Sequence, residues 1–254
     1  MILNSFKVFN VSWTLHSVYT LTLLMNPAYK LYNKLAMSLT PGALLSSAAK
    51  ERCIASISEL PSFNIRSGKI KSSASVLVPV CVENGEVCLL YTLRSSNLSS
   101  HSGQVSFPGG KMDKNETVYD AALRETEEEI GVPAKDIEIW TKMSEVQGRD
   151  QKILITPVVG EIKNFEINKL VPNENEVADV FTIPMKVFCD TNNHGCIRYN
   201  GFVIPVFNGG KHRVWGITGI ITHLFLNSFL PSECYSPEFL RKEYKISELM
   251  PAKL

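Results

Sequence analysis

Glu125, Glu127, Glu128 and Glu129 fall within five residues, just ahead of Gly131. At about 100° of rotation per residue, Glu125, Glu128 and Glu129 share one helical face, because positions i, i+3 and i+4 are surface neighbours. Like charges at that spacing repel by about 0.2–0.5 kcal/mol per pair. A hard divalent cation relieves the repulsion, since carboxylates and carbonyls are the ligands such ions take. Full solvation of an acidic face is the other way to relieve it. Upstream, Pro108-Gly109-Gly110 lacks Cβ atoms at two positions, so its backbone can approach a phosphate or turn a carbonyl towards a metal.

The elements that must hold these groups are legible around them. Thr117 with Asp120 three residues on is a capping-box signature, Val118, Ala121, Ala122 and Ile130 give an apolar stripe, and Gly131 suits a left-handed cap. A helix over 118–130 follows, with Glu116 and Arg124 placed to pair and orient it. Val76–Val82 and Val87–Thr92 are β-rich runs joined through Asn84-Gly85, a strong hairpin signal. The second run leads to Arg94, and a lone Arg after a strand is ordinarily a solvated side chain. Further strands are expected over Ile137–Val146, Ile153–Ile162 and Phe202–Phe207, with a helix from Ile217 to about Phe229. Trp215 and Gly216 read as packing between the closing strand and that helix.

Gly110, five residues, Glu116, seven residues, then Arg124-Glu125-Thr126-Glu127-Glu128-Glu129-Ile130-Gly131-Val132 resembles the Nudix box of the Nudix hydrolases. Thr126 stands where an aliphatic residue is usual. A second stretch, Leu89-Leu90, Thr92, Arg94-Ser95, Gly103 and Phe107-Pro108-Gly109-Gly110, resembles the signature of the family's coenzyme A diphosphatase branch. Ser99 takes the place of a second Arg common there, leaving His101, Lys111 and Lys114 as cations that could stand in. Thr156-Pro157-Val158-Val159-Gly160, the segment Asn175–Phe181 and His212-Arg213-Val214-Trp215-Gly216-Ile217-Thr218 resemble further segments of that branch.

The resemblance implies an α/β fold, the Nudix α/β/α sandwich with a central mixed sheet and a catalytic loop-helix-loop. It implies Glu125, Glu128 and Glu129 as ligands of Mg²⁺ or Mn²⁺, with Glu125, Glu128 and Glu176 as the catalytic carboxylates. Glu176 would be a further ligand or the general base. Arg94, Gly109 and Gly110 would bind substrate. The implied reaction splits the diphosphate of coenzyme A or its thioesters into adenosine 3′,5′-bisphosphate and 4′-phosphopantetheine or its acyl form. A Nudix hydrolase for NADH or ADP-ribose is the nearest alternative, and a coenzyme A sensor without turnover is an alternative of another class.

The chain has 254 residues, 44% of them hydrophobic, enough for one substantial catalytic domain with extensions. The expected layout is an extension and linker over 1–72, the hydrolase domain over 73–230 and a tail over 231–254. A net charge of +1 provides no global field to recruit nucleic acid. The six cysteines show neither paired CxxC spacing nor His at zinc spacing, which points to a reducing compartment. Residues 1–50 contain no acid and no Arg. The run from Val8 to Met25 is too polar for a stable membrane span, and it reads as a leader or as sequence preceding a true start at Met25 or Met37. The terminal Ala252-Lys253-Leu254 is a variant of the Ser-Lys-Leu address, so a peroxisomal import receptor is the expected partner and the peroxisome the expected compartment. The mitochondrion is the alternative, if the leader is a transit peptide.

Overall fold

The alternation of apolar residues along the first two long strands decides the architecture, because it gives the sheet two buried faces. The computed structural model describes residues 37–61, 70–98, 102–148, 152–199 and 201–250. The chain divides into two compact units, Met1–Ser38 and Leu39–Leu254. The described residues lie almost wholly in the second. Residues 1–36 and the terminal Ala-Lys-Leu, where the leader and the peroxisomal address were expected, lie outside the described residues.

The elements run in the order α1 (Pro41–Leu44), α2 (Ser47–Ser58), β1 (Ser72–Glu83), β2 (Glu86–Arg94), β3 (Val105–Ser106), β4 (Gly109–Lys111) and α3 (Val118–Ile130). There follow β5 (Ile137–Lys142), β6 (Val146–Gln147), β7 (Ile153–Ile162), β8 (Val177–Pro184), α4 (Met185–Cys189), β9 (His194–Tyr199), β10 (Phe202–Phe207), α5 (Gly216–Phe229) and α6 (Ile246–Leu249). The main sheet has the path β3-β2-β1-β7-β5, with β4 on β1, β6 on β7 and β8 on β2. β1 and β7 run parallel and the other pairs antiparallel, so the sheet is mixed as expected. The β1–β2 hairpin closes through Asn84 (φ 52°) and Gly85 (φ 79°), the left-handed pair that its sequence called for.

Leu77, Cys81, Cys88 and Leu90 face one side of the sheet, where Ala122 and Ile130 of α3 cover them. Val78, Val80, Leu89 and Tyr91 face the other, under Ile221, Phe225 and Leu226 of α5 and Cys53 and Ile57 of α2. Period-2 alternation with both sides apolar thus produces helix layers on both faces. Cys81 and Cys88 are core thiols, directly opposed across the hairpin.

Three expectations need revision. The strand expected over Ile137–Val146 is two pieces, because the register on β7 shifts between Ile139 and Thr141 and the edge breaks before β6. The packed unit extends beyond 73–230 at both ends. Ser46 caps α2, which lies within the expected extension and buries Ala49, Cys53 and Ile57 against the core. Residues 231–250 are not a bare tail either: Tyr235 and Tyr244 are buried, and Cys196 on β9 exchanges backbone hydrogen bonds with Lys242 and Tyr244. No helix among the described residues is long and apolar enough to cross a membrane.

Candidate active site

Helix α3 begins and ends where its capping residues dictate. The Thr117 side chain accepts from the Asp120 N–H, the Asp120 carboxylate accepts from the Thr117 N–H, and Gly131 (φ 74°) closes the other end through its N–H to the Glu127 carbonyl. Fixed ends fix the rotation, and the rotation grades the three glutamates by depth. The side chain of Glu129 is 3% exposed, that of Glu125 15% and that of Glu128 57%. Thr126, in the position where an aliphatic residue is usual, is fully buried. Its hydroxyl donates to the Ala122 carbonyl at 2.6 Å, so the polar atom is satisfied within the helix.

The glycine loop reaches this helix because β4 lies along the first half of β1. Leu77 donates its N–H to the Pro108 carbonyl at 2.8 Å, and Gly109 and Gly110 pair with Val76 and Ser75. Both glycines are required by space. With φ 148°, Gly109 sits so close to β1 that a Cβ would lie 2.3 Å from the Ser75 oxygen. A Cβ on Gly110 would lie 2.4 Å from the Glu125 carboxyl atoms. The Gly109 N–H donates to Glu129 Oε2 at 3.3 Å, tying the loop to the deepest glutamate.

Arg124 and Glu116 pair as expected, through Nε to Oε1 at 2.8 Å and Nη2 to Oε2 at 3.0 Å. The same guanidinium reaches Glu125 and Glu128 through Nη1, at 3.0 Å each, and the Lys111 carbonyl through Nη2. Among the described residues no three metal-ligating side chains close on one point as they stand. Their partners differ: Glu125 and Glu128 accept from Arg124, while Glu129 turns in towards the Gly109 N–H and Arg94.

Arg94 ends β2 at a bulge, where its backbone partner on β8 shifts to Val177. Its Nη1 lies 3.9 Å from Glu129 Oε1, and its buried Nε has no hydrogen-bond partner. Glu176 is brought in by the loop ahead of β8, which is tied to the end of α3: Val171 donates to the Ile130 carbonyl and Asn173 to that of Glu129. Ser95 in turn donates to the Glu176 carbonyl at 2.8 Å, so the Arg94 and Glu176 loops are joined. Burial pushes the Glu129 carboxyl up to about 8, against the opposing pull of Arg94 and the Gly109 N–H, and the charges of Glu125 and Glu176 push the same way. Glu125 is also raised, first by burial and then by Glu128 and Glu176. Glu176 thus lies close enough to act on both Glu125 and Glu129 through its charge.

The structure therefore brings Arg94, Gly109, Gly110, Glu125, Glu129 and Glu176 together, with Glu128 at the solvent side. Lys111 and Lys114 are exposed, and Ser99 and His101 lie outside the described residues. One ionic group was not legible in the sequence: Asp179 accepts from Lys211 Nζ at 2.9 Å and contacts His212 Nε2 at 2.8 Å. The only sequence signal was a Lys-His pair after the Asn208-Gly209-Gly210 turn, with no indication of its partner.

The NUDIX domain family matches residues 71–193. The mitochondrial coenzyme A diphosphatase NUDT8 of Mus musculus is 40% identical over 167 residues, covering 63% of this chain and 79% of that protein. Its namesake in Homo sapiens is 40% identical over 173 residues, covering 65% and 72%. The peroxisomal coenzyme A diphosphatase NUDT7 of Mus musculus is 40% identical over 116 residues, covering 45% and 48%. Glycine loop, capped acidic helix and mixed sheet agree with these matches: the chain belongs to the Nudix hydrolase family.

Proposed function

We propose that this protein hydrolyses the diphosphate bond of coenzyme A and its thioesters, releasing adenosine 3′,5′-bisphosphate and 4′-phosphopantetheine or its acyl form. The observation that carries this reading is the pair Glu125 and Glu129 against the Gly109–Gly110 backbone, with Glu128 on the solvent side of the same helix and Glu176 on the adjoining loop, in a chain 40% identical to coenzyme A diphosphatases over most of their length.

Nudix hydrolases work with a divalent cation, and the residues present fit one. The donors are carboxylates, the ligands of a hard ion. Glu129 is buried and short of compensating charge, and Gly110 keeps the space beside Glu125 free of a side chain. Glu125, Glu128 and Glu129 would hold Mg²⁺ or Mn²⁺. When bound, such an ion supplies charge neutralisation at the diphosphate and acidifies water beside it. The chain's own groups do the rest. Arg94, with an unpaired Nε and a guanidinium near Glu129, donates to a phosphate oxygen. Glu176 accepts the proton of the attacking water. Glu116 holds Arg124 through two contacts, and Arg124 orients Glu125 and Glu128. Positioning and charge stabilisation carry most of the acceleration in chemistry of this kind.

The test is mass-spectrometric identification of products from coenzyme A, acetyl-coenzyme A, NADH and ADP-ribose, in Mg²⁺ and in Mn²⁺. Adenosine 3′,5′-bisphosphate from the first two, at higher kcat/KM than cleavage of the others, supports the reading. Preference for NADH or ADP-ribose replaces the substrate. Binding of coenzyme A without turnover replaces the enzyme with a sensor.

The compartment is proposed from two signals that disagree: the more extensive relatives named above are mitochondrial, while Ala252-Lys253-Leu254 resembles a peroxisomal address. An amino-terminal fluorescent tag leaves the second signal free and a carboxyl-terminal tag masks it. Peroxisomal fluorescence with the first tag alone assigns the peroxisome and its import receptor, and mitochondrial fluorescence with the second assigns the mitochondrion.

A further inference from the structure

We infer that Lys211 and His212, seated on Asp179, form an anion subsite for the phosphate monoester on the nucleotide half of the substrate, apart from the groups that handle the diphosphate. The inference rests on the coenzyme A reading above, because coenzyme A carries a 3′-phosphate on its ribose. Asp179 lies on β8 directly opposite Leu93, and the next residue of β2 is Arg94. Opposed residues in such a pair are about 5 Å apart and share a face. The cluster therefore leaves the end of the sheet with Leu93 and Phe181, one residue from Arg94 but on the α5 side, whereas Arg94 reaches Glu129 on the α3 side.

Lys211 and His212 are presented on a stiff support. They follow Gly209 and Gly210, which are pressed onto the core: a Cβ on Gly210 would meet Ile183 Cδ1 at 2.5 Å, and one on Gly209 the Asn193 side chain at 2.7 Å. The His212 ring stands edge-on to Phe181 at 5.0 Å; Phe181 stacks on Tyr91, and Tyr91 on Phe107, the residue that opens the Pro108-Gly109-Gly110 loop. A continuous row of rings therefore links the cluster to the loop of the active site. Arg213, the next cation, turns to Tyr244 and the Glu248 carbonyl and takes no part.

Lys211 Nζ touches both Asp179 oxygens, at 2.9 and 2.8 Å, which orders the long side chain in advance. Ordering it beforehand removes part of the entropy cost of binding. The ammonium group remains 62% exposed at its side chain, and His212 is 30% exposed, so both can meet a ligand. A phosphate oxygen suits the exposed Lys211 ammonium with the His212 imidazole beside it, whereas a neutral ribose hydroxyl gains little from them.

Lys211→Met is the discriminating variant, because it removes the exposed charge and leaves the packed His212 in place. Coenzyme A and dephospho-coenzyme A are compared as substrates with Mn²⁺ present. KM for coenzyme A should rise roughly tenfold, the loss of one charge-assisted hydrogen bond, with kcat retained. Kinetics on dephospho-coenzyme A should not change. Binding of adenosine 3′,5′-bisphosphate should weaken by the same factor, and binding of 5′-AMP should not. Equal effects on both members of either pair, or none, overturn the subsite. Wild-type protein that cleaves neither coenzyme overturns the proposed function instead, and the nucleotide-binding comparison then still decides whether the subsite exists.

Discussion

Replacing each glycine of the loop by alanine separates the two tasks that the loop performs. At Gly110 the added methyl would lie 2.4 Å from all three Glu125 carboxyl atoms, where ordinary contact begins at 3.4 Å. The carboxylate must therefore retreat by about 1 Å, a displacement that costs about 10²-fold in rate when it falls on a catalytic group. What moves is the end of a flexible side chain, and Gly110 does not occupy the left-handed region, so the fold loses little. At Gly109 the methyl meets main chain, with Ser75 O at 2.3 Å and Val76 Cα at 2.5 Å, at φ 148°. Backbone strain of about 1–3 kcal/mol and overpacking of about 1–3 kcal/mol then sum to about 2–6 kcal/mol of lost stability. Urea unfolding and initial rates on coenzyme A measure the two axes. Gly110→Ala should unfold near the wild-type midpoint with about 1% of the activity, while Gly109→Ala should unfold far earlier. A fully active Gly110→Ala protein, or equal stability of the two variants, would refute the close approach of loop and helix.

Other expectations follow from the same site. Glu129 is raised to about 8 in the folded protein from an ordinary carboxyl value of 4.5, so the folded state holds its proton longer than the unfolded chain does. Its contribution to stability is intact below the unfolded value and declines as pH rises through that window, at up to about 1.4 kcal/mol per pH unit. In chelator-treated protein Glu129→Gln should therefore flatten the fall in stability between pH 4.5 and 8, and an unchanged slope would show that Glu129 titrates normally. Glu128→Gln should lower turnover at least about 10²-fold with an unaltered unfolding midpoint, in keeping with loss of a metal or proton-transfer group; near wild-type turnover would remove its role. Thr126→Val should stay within about 1 kcal/mol of wild type in urea, because the hydroxyl bonds only a helix carbonyl that already has a partner.

Local chemistry was readable and distant partnership was not. Thr117, Asp120 and Gly131 delimited helix α3 because capping groups act within one turn, and Asn84-Gly85 set the hairpin for a similar reason. Spacing put Glu125, Glu128 and Glu129 on one helical face, whereas the roles expected of them, of Arg94 and of the glycine loop drew on the resemblance to the Nudix box and to the coenzyme A diphosphatase signature. The bulge at Trp140 was not, since a bulge depends on the strand alongside. Nor was the docking of residues 231–250, which relies on His194: its Nδ1 accepts from the Glu238 N–H, and its Nε2 lies 2.8 Å from the Phe188 carbonyl. The Asp179–Lys211–His212 group joins residues 32 and 33 positions apart, beyond the reach of any periodic pattern.

The most direct test of the central claim is anomalous diffraction from crystals soaked in Mn²⁺. The account predicts a manganese peak among Glu125, Glu128 and Glu129, beside the Gly109–Gly110 backbone, that disappears in Glu125→Gln crystals. Glutamates turned into bulk water at saturating Mn²⁺, or a peak elsewhere on the surface, would contradict it.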